Sequence, residues 1–151
     1  MIIDIDDLSR PAVHALLASH LQAMHDGSPA ESVHALPLDA LRAADVTVWT
    51  AWDGEALLGI GALKELEATH GEVKSMRTAP EALGRGVATA ILGAILAAAR
   101  ERGYARVSLE TGTDAPFAPA HRLYARHGFR DCEPFADYAP DPLSRFMTLD
   151  L

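Results

Sequence analysis

The sequence predicts an α/β fold, a mixed and mainly antiparallel sheet of about six or seven strands flanked by about four helices. Three stretches carry that prediction. A hairpin signal spans residues 46–63, where Asp53-Gly54 separates two apolar runs. A strand, a glycine turn and an alanine-rich helix follow one another over residues 72–103. A further strand at 104–111 is reached across that helix, and a strand-helix-strand crossover predicts a parallel pair.

From the N-terminus, Met1 to Asp6 alternates as a first strand, and Ser9-Arg10-Pro11 offers an N-cap with proline in the first helical turn. Val13, Leu16, Leu17, His20, Leu21 and Met24 trace one face of a helix that stops near Gly27-Ser28-Pro29. Residues 30–45 hold Leu36, Leu38 and Leu41 and predict a short second helix after Pro37. In the hairpin's second strand, Gly59 and Gly61 mark a bend or a close backbone approach. The third antiparallel strand, 72–78, ends before Pro80, which biases Ala79 toward extended geometry and cannot donate to a ladder. Val87, Ile91, Ile95 and Ala98 then recur at helical spacing, Leu92 and Leu96 widen the stripe, and Gly103 supplies the stop. After the strand at 104–111 come a loop at 113–119 and a short helix at 120–127. Gly128-Phe129 returns the chain to the sheet, 135–142 is irregular, and 145–149 is a last strand.

A length of 151 residues predicts one domain with a core that needs no disulfides. With 49% hydrophobic residues and no uncharged apolar window near 18 positions, the chain reads as soluble, with no membrane partner. Asp4, Asp6 and Asp7 stand where a signal peptide would carry basic residues, and the single Cys132 suits a reducing compartment, so the cytoplasm is expected. A net charge of -8 argues against nucleic acid, whose phosphates call for clustered Lys and Arg, and is compatible with cationic amines.

Gly84-Arg85-Gly86 opens the long helix, so it can present unpaired backbone N–H groups, at the positive end of the helix dipole, to an anion. Two glycines alone also fit an ordinary tight turn. A dinucleotide-binding turn would want a third glycine where Thr89 stands, and the Gly-Lys-Ser/Thr of a P-loop is absent. In full, Pro80-Glu81-Ala82-Leu83-Gly84-Arg85-Gly86-Val87-Ala88-Thr89 resembles the acetyl-CoA pyrophosphate loop of the GNAT (GCN5-related) N-acetyltransferase family. That signature runs Arg or Gln, two residues, Gly, one residue, Gly or Ala. Its slots are filled by Leu83, Gly86 and Ala88, so the first departs from the pattern. A second stretch, Ala120-His121-Arg122-Leu123-Tyr124-Ala125-Arg126-His127-Gly128-Phe129, is similar to the family's Ala-x-x-Leu-Tyr-x-x-x-Gly-Phe segment. Phe117 stands where the family often has Asn. The resemblance covers nearly the whole chain, and Glu110-Thr111-Gly112, Pro134-Phe135 and Asp137-Tyr138 resemble a bacterial, YsnE-like branch.

What the resemblance implies is transfer of the acetyl group of acetyl-CoA to a primary amine by direct attack, without a covalent enzyme intermediate or a metal. Gly84, Arg85, Gly86, Val87, Ala88 and Thr89 would hold the pyrophosphate, with Leu83 and Phe117 in the adjoining slots. Met76, Arg77 and Thr78 would meet the pantetheine arm and the acetyl carbonyl from a strand that splays from its neighbour. Tyr124, whose phenol has a reference pKa of about 10, would hand a proton to the leaving thiolate. An amine of reference pKa about 10.4 must lose a proton first, and Glu72 is the provisional base, with Glu110 or a water chain as alternatives. His25 and His34 flank the loop between the first two helices and, with Glu110 and Tyr138, make up the acceptor side. Each residue also has a plain structural role: sheet pairing for 76–78, core packing for Tyr124, a solvated strand edge for Glu72, and surface positions for the histidines. The seven histidines lack metal-site spacing; His14 and His20, like His121 and His127, lie six apart without a third ligand. The acceptor could be a small amine, an amino acid or a protein amino group, and the family allows a homodimer. Two other readings compete, a non-catalytic acyl-CoA-binding module and a nucleotide-binding fold.

Overall fold

The computed structural model describes residues 1–29, 32–34 and 36–151. Ala30, Glu31 and Ala35, in the segment expected to carry the second helix, lie outside the described residues. The elements run β1 (Ile2–Ile5), α1 (Pro11–Gly27), α2 (Leu38–Leu41), β2 (Val46–Asp53), β3 (Ala56–Glu67), β4 (His70–Thr78), α3 (Val87–Glu101), β5 (Arg106–Gly112), α4 (Ala118–Arg126), β6 (Arg130–Asp131) and β7 (Ser144–Asp150). The strands form one seven-stranded sheet in the order β1-β2-β3-β4-β5-β7-β6. Every neighbouring pair is antiparallel except β4 and β5. The mixed, mainly antiparallel sheet and the parallel crossover are those the sequence predicts.

Two glycines seat α3 on the sheet. A Cβ on Gly61 would lie 2.6 Å from Ile91 Cγ2 and 2.6 Å from Met76 Sδ, and one on Gly59 would lie 2.8 Å from Val87 Cγ1. Side chains alternate across a strand, so Gly59 and Gly61 face α3, while Ile60 and Ala62 face the other side, where α1 packs on β3 and β4. The apolar core therefore occupies both faces of the central strands. Burying Val13, Leu16 and Leu17 of α1, and Ile91, Leu92, Ile95 and Leu96 of α3, contributes about 1.5–3 kcal/mol for each side chain.

Several boundaries differ from the sequence expectation. The N-cap of α1 is Arg10, with no side-chain cap; Ser9 stands one residue earlier, and its hydroxyl donates to Asp7 Oδ1 at 2.6 Å. The second helix is a single turn; Gly128 (φ +92°) closes the end of α4, Phe129 is buried, and β6 begins at the next residue, Arg130, so Gly128-Phe129 returns the chain to the sheet as expected.

One irregularity positions the site. Across β3 and β4, Ile60 pairs with Arg77 and Ala62 with Lys74, so Ser75 and Met76 together stand opposite Gly61 in a β-bulge. Ser75 holds φ 56°, a left-handed conformation that a non-glycine residue rarely adopts. The parallel pairing of β4 with β5 stops at Val73 and Leu109, just before the bulge. Beyond that point the two strands are not paired, and β4 keeps only β3 as a neighbour.

Candidate active site

The loop into α3 starts with a short turn, Pro80–Ala82. Gly84 (φ +76°) and Gly86 (φ +77°) then take left-handed conformations, Gly86 as the N-cap of α3. A Cβ on either would meet nothing within 4 Å, so these glycines are required by backbone conformation and leave open space over the loop. Among the described residues, no N–H from Gly84 to Thr89 donates to a protein acceptor; the first to do so is that of Ala90, to Gly86 O at 3.1 Å. Uncommitted amides at the start of a 15-residue helix form an anion cradle whose chemistry fits a diphosphate. Val87 is buried as the anchor of this turn and Ala88 is half-buried, whereas Thr89 is exposed. Arg85 reaches sideways to Asp53 at 3.5 Å, both exposed, and Leu83 is 67% exposed.

Met76, Arg77 and Thr78 lie half-buried along the end of β4 that keeps β3 as a neighbour but has parted from β5. On the neighbouring strand, Glu110 is the first β5 residue after the last parallel pair. Its carboxyl is pushed up from the usual range by burial, with the like charge of Glu72 adding to this and Ser144, His34 and Lys74 opposing it. Ser144 Oγ is buried and lies near that carboxyl without hydrogen-bond geometry to it. Tyr124, on α4, is 6% exposed, and its hydroxyl makes no hydrogen bond among the described residues. Burial pushes its phenol up, and the charge of Glu110 pushes in the same direction, which puts the two groups in each other's field.

Glu72 is 3% exposed and belongs to a buried polar knot. Tyr138 Oη donates to its Oε2 at 2.5 Å, and Lys74 Nζ donates to the same oxygen at 3.2 Å and to Tyr138 Oη at 2.9 Å. Burial, then the Glu72 charge, pushes the Tyr138 phenol up. His34 stands edge-on to Tyr138, ring centroids 4.9 Å apart. The covering loops are joined where Ser32 Oγ donates to Asp141 Oδ2 at 2.7 Å.

The structure thus brings together Glu72, Glu110, Tyr124, Tyr138 and His34 around the opening of β4 and β5. His25 is exposed near the end of α1, outside that group. Phe117 precedes α4 and lies against Gly112, where an added Cβ would overlap its ring. Sequence reasoning missed Lys74, although it shares a strand face with Glu72 two residues away, a signal that was available. It also missed the Ser75 bulge and the Ser32–Asp141 tie, for which no local signal exists. A cavity of about 630 Å³ at the other end of the sheet, lined in part by His70, Arg106, Ser108, Cys132 and Phe135, contains none of the expected site residues. Among the described residues no three His, Cys, Asp or Glu side chains gather as a metal group, and no helix is long and apolar enough to cross a membrane.

The seven-stranded, mainly antiparallel sheet with its flanking helices has the fold of an acyltransferase. Residues 12–129 match the Acetyltransferase (GNAT) family, and the chain belongs to it. It is 58% identical to the uncharacterized N-acetyltransferase YedL of Escherichia coli (strain K12) over 149 residues, which is 99% of this chain and 94% of that protein. It is 53% identical to the uncharacterized N-acetyltransferase YsnE of Bacillus subtilis (strain 168) over the full length of both. Among solved structures, a candidate acyl-CoA N-acyltransferase from Klebsiella pneumoniae subsp. pneumoniae MGH 78578 superposes with a TM-score of 0.79 at 29% identity, covering 99% of this chain and 97% of that one.

Proposed function

We propose that the protein moves the acetyl group of acetyl-CoA to a primary amine by direct attack of the amine. The observation that carries this reading is the row of uncommitted amides from Gly84 to Thr89, set beside a strand whose far edge is left unpaired. The co-substrate supplies an activated thioester; the chain supplies position and proton traffic. The amides of 84–89 hold the diphosphate, so Leu83, outside the backbone cradle, costs a side-chain contact rather than the mechanism. The main-chain groups of Met76, Arg77 and Thr78 orient the arm and polarise the acetyl carbonyl.

Between the two carboxylates, the reading favours Glu110 as the base. Its raised pKa brings its basicity closer to that needed near neutral pH, and it stands at the strand opening. Glu72, provisional base on the sequence reading, spends one oxygen on Tyr138 and Lys74 and holds that side of the acceptor cleft in place. Tyr124, kept protonated by burial, donates to the departing thiolate. The 151 residues are read as one domain, in a reducing compartment that the lone Cys132 suits.

The test is a panel of amines with acetyl-CoA, following free thiol, on wild type, Tyr124→Phe, Glu110→Gln and Glu72→Gln. The expected result is turnover in the wild type and a loss of about 10²–10⁴-fold in kcat for Tyr124→Phe and Glu110→Gln. Glu72→Gln should lose more stability than rate. CoA binding with no thiol release from any amine would make the protein a binding module instead.

A further inference from the structure

Arg77 carries a charge that no carboxylate among the described residues answers. The site residues hold two local ion arrangements, Lys74 with Glu72 and Arg85 with Asp53, whereas Arg77 has no carboxylate within ion-pair distance among the described residues. Its Nε is also buried without a hydrogen-bond partner. Burying an unanswered donor costs about 1–3 kcal/mol, so such a group in a chain of net charge -8 is not accounted for by the fold. Its direction is set by register. Arg77 pairs with Ile60, whose neighbours Gly59 and Gly61 face α3, so the guanidinium projects to the α1 side. That is also the face on which Glu72 and Lys74 form their knot with Tyr138.

Two other groups in this region are nine-tenths buried and without a partner among the described residues. His20 of α1 is 7% exposed with Nδ1 unbonded, and Ser75, at the bulge two residues before Arg77, is 8% exposed with Oγ unbonded. The Arg77 cation is felt at His20, which burial, and then that positive charge, hold down at a pKa of about 4. His20 is therefore neutral at pH 7 and adds no second cation.

We propose that Arg77 is a specificity-determining residue of the acceptor side, binding a carboxylate carried by the amine substrate, so that the preferred acceptors are amino acids. A guanidinium presents a planar fork that a carboxylate meets with two parallel hydrogen bonds, with an energy and a geometry that an ammonium does not reproduce. The inference rests on the transferase reading above and narrows its acceptor. It also reassigns the Arg77 side chain from cofactor to acceptor, leaving its main chain to the co-substrate.

The experiment compares L-methionine and L-phenylalanine with their carboxamides as acceptors, in wild type, Arg77→Met and Arg77→Lys. Comparing the acid-to-amide ratio of kcat/KM between proteins cancels the different basicities of the amines. The ratio should fall about 10- to 100-fold in Arg77→Met and less in Arg77→Lys, with KM for acetyl-CoA unchanged. An unchanged ratio, or a rise in the acetyl-CoA KM instead, overturns the inference. So does turnover of the carboxamides or of simple alkylamines alone. In parallel, the Arg77 Nε–H resonance is followed in the CoA-saturated protein during titration with N-acetyl-L-phenylalanine and with its amide. A shift with the acid only supports the carboxylate site even if no amine turns over, in which case the transferase reading fails by itself. No difference between the two titrations overturns the carboxylate site.

Discussion

His20 should make the protein lose stability in acid over a defined window. Its imidazole is buried on α1, Nδ1 lacks a partner among the described residues, and burial, followed by the Arg77 charge, lowers its pKa from 6.5 to about 4. In the unfolded chain it titrates at its ordinary value, so between pH 6.5 and 4 the unfolded state binds a proton that the folded state refuses. Stability therefore rises with pH in that window; it is fully present above 6.5 and progressively lost as pH falls toward 4. The window spans about 2.5 pH units at 1.36 kcal/mol each, which gives a full loss of about 3.4 kcal/mol. For a chain of this length that lowers Tm by about 7–14 °C. The assay is a series of urea or thermal unfolding curves from pH 7.5 to 4 on wild type and His20→Gln, read as a difference. Subtraction is needed because the lowered pKa of His70 acts with the same sign and the raised pKa of Glu110 with the opposite one. If the two proteins lose stability in parallel, or if the His20 ring titrates near 6.5 by NMR, the reasoning about this buried imidazole is wrong.

Other substitutions test the fold and the polar knot. Gly61→Ala forces a Cβ to within 2.6 Å of Ile91 Cγ2 and Met76 Sδ, so it should cost about 1–3 kcal/mol in urea unfolding; an unchanged midpoint would mean that α3 does not sit on β3 as described. Lys74→Met leaves the Glu72 carboxylate buried with only Tyr138 for company, and should cost about 3–5 kcal/mol. The double variant Lys74→Met, Glu72→Gln should recover much of that, because no buried charge is then left unanswered. A double variant as unstable as the single one would show that the ion pair is not what holds this corner.

The elements that sequence makes legible are those whose signals are local. Asp53-Gly54 needs only its flanking strands to be read as a hairpin, the Val87 to Ala98 stripe needs only its own period, and the crossover to β5 follows from chain order. The glycine loop was legible too, because the demand for left-handed φ at Gly84 and Gly86 is written into the residues themselves. What escaped depends on distant partners. The bulge at Ser75 lies where β4 stays with β3 and leaves β5, and nothing in Lys74-Ser75-Met76 announces it. The partner of Glu72 lies at Tyr138, 66 residues away, so a carboxylate that reads as a solvated edge residue is in fact sealed. Ser9 misled for a different reason: it suits an N-cap, but the helix starts one residue later, behind Arg10, and Ser9 bonds locally to Asp7. The resemblance supplied the expected roles of Tyr124, Glu72 and the acceptor-side residues, and geometry supplied the grounds for choosing among them.

The central claim is that main-chain amides at the start of α3 grip a diphosphate, and amide resonances test it most directly. In a titration of labelled protein with CoA, the N–H signals of Gly84 to Thr89 should move strongly, as each gains an anionic acceptor. Pantetheine, which lacks the diphosphate, should leave them almost unmoved while perturbing Met76 to Thr78. Signals from 84–89 that stay still as CoA binds, or that move equally with pantetheine, would contradict it.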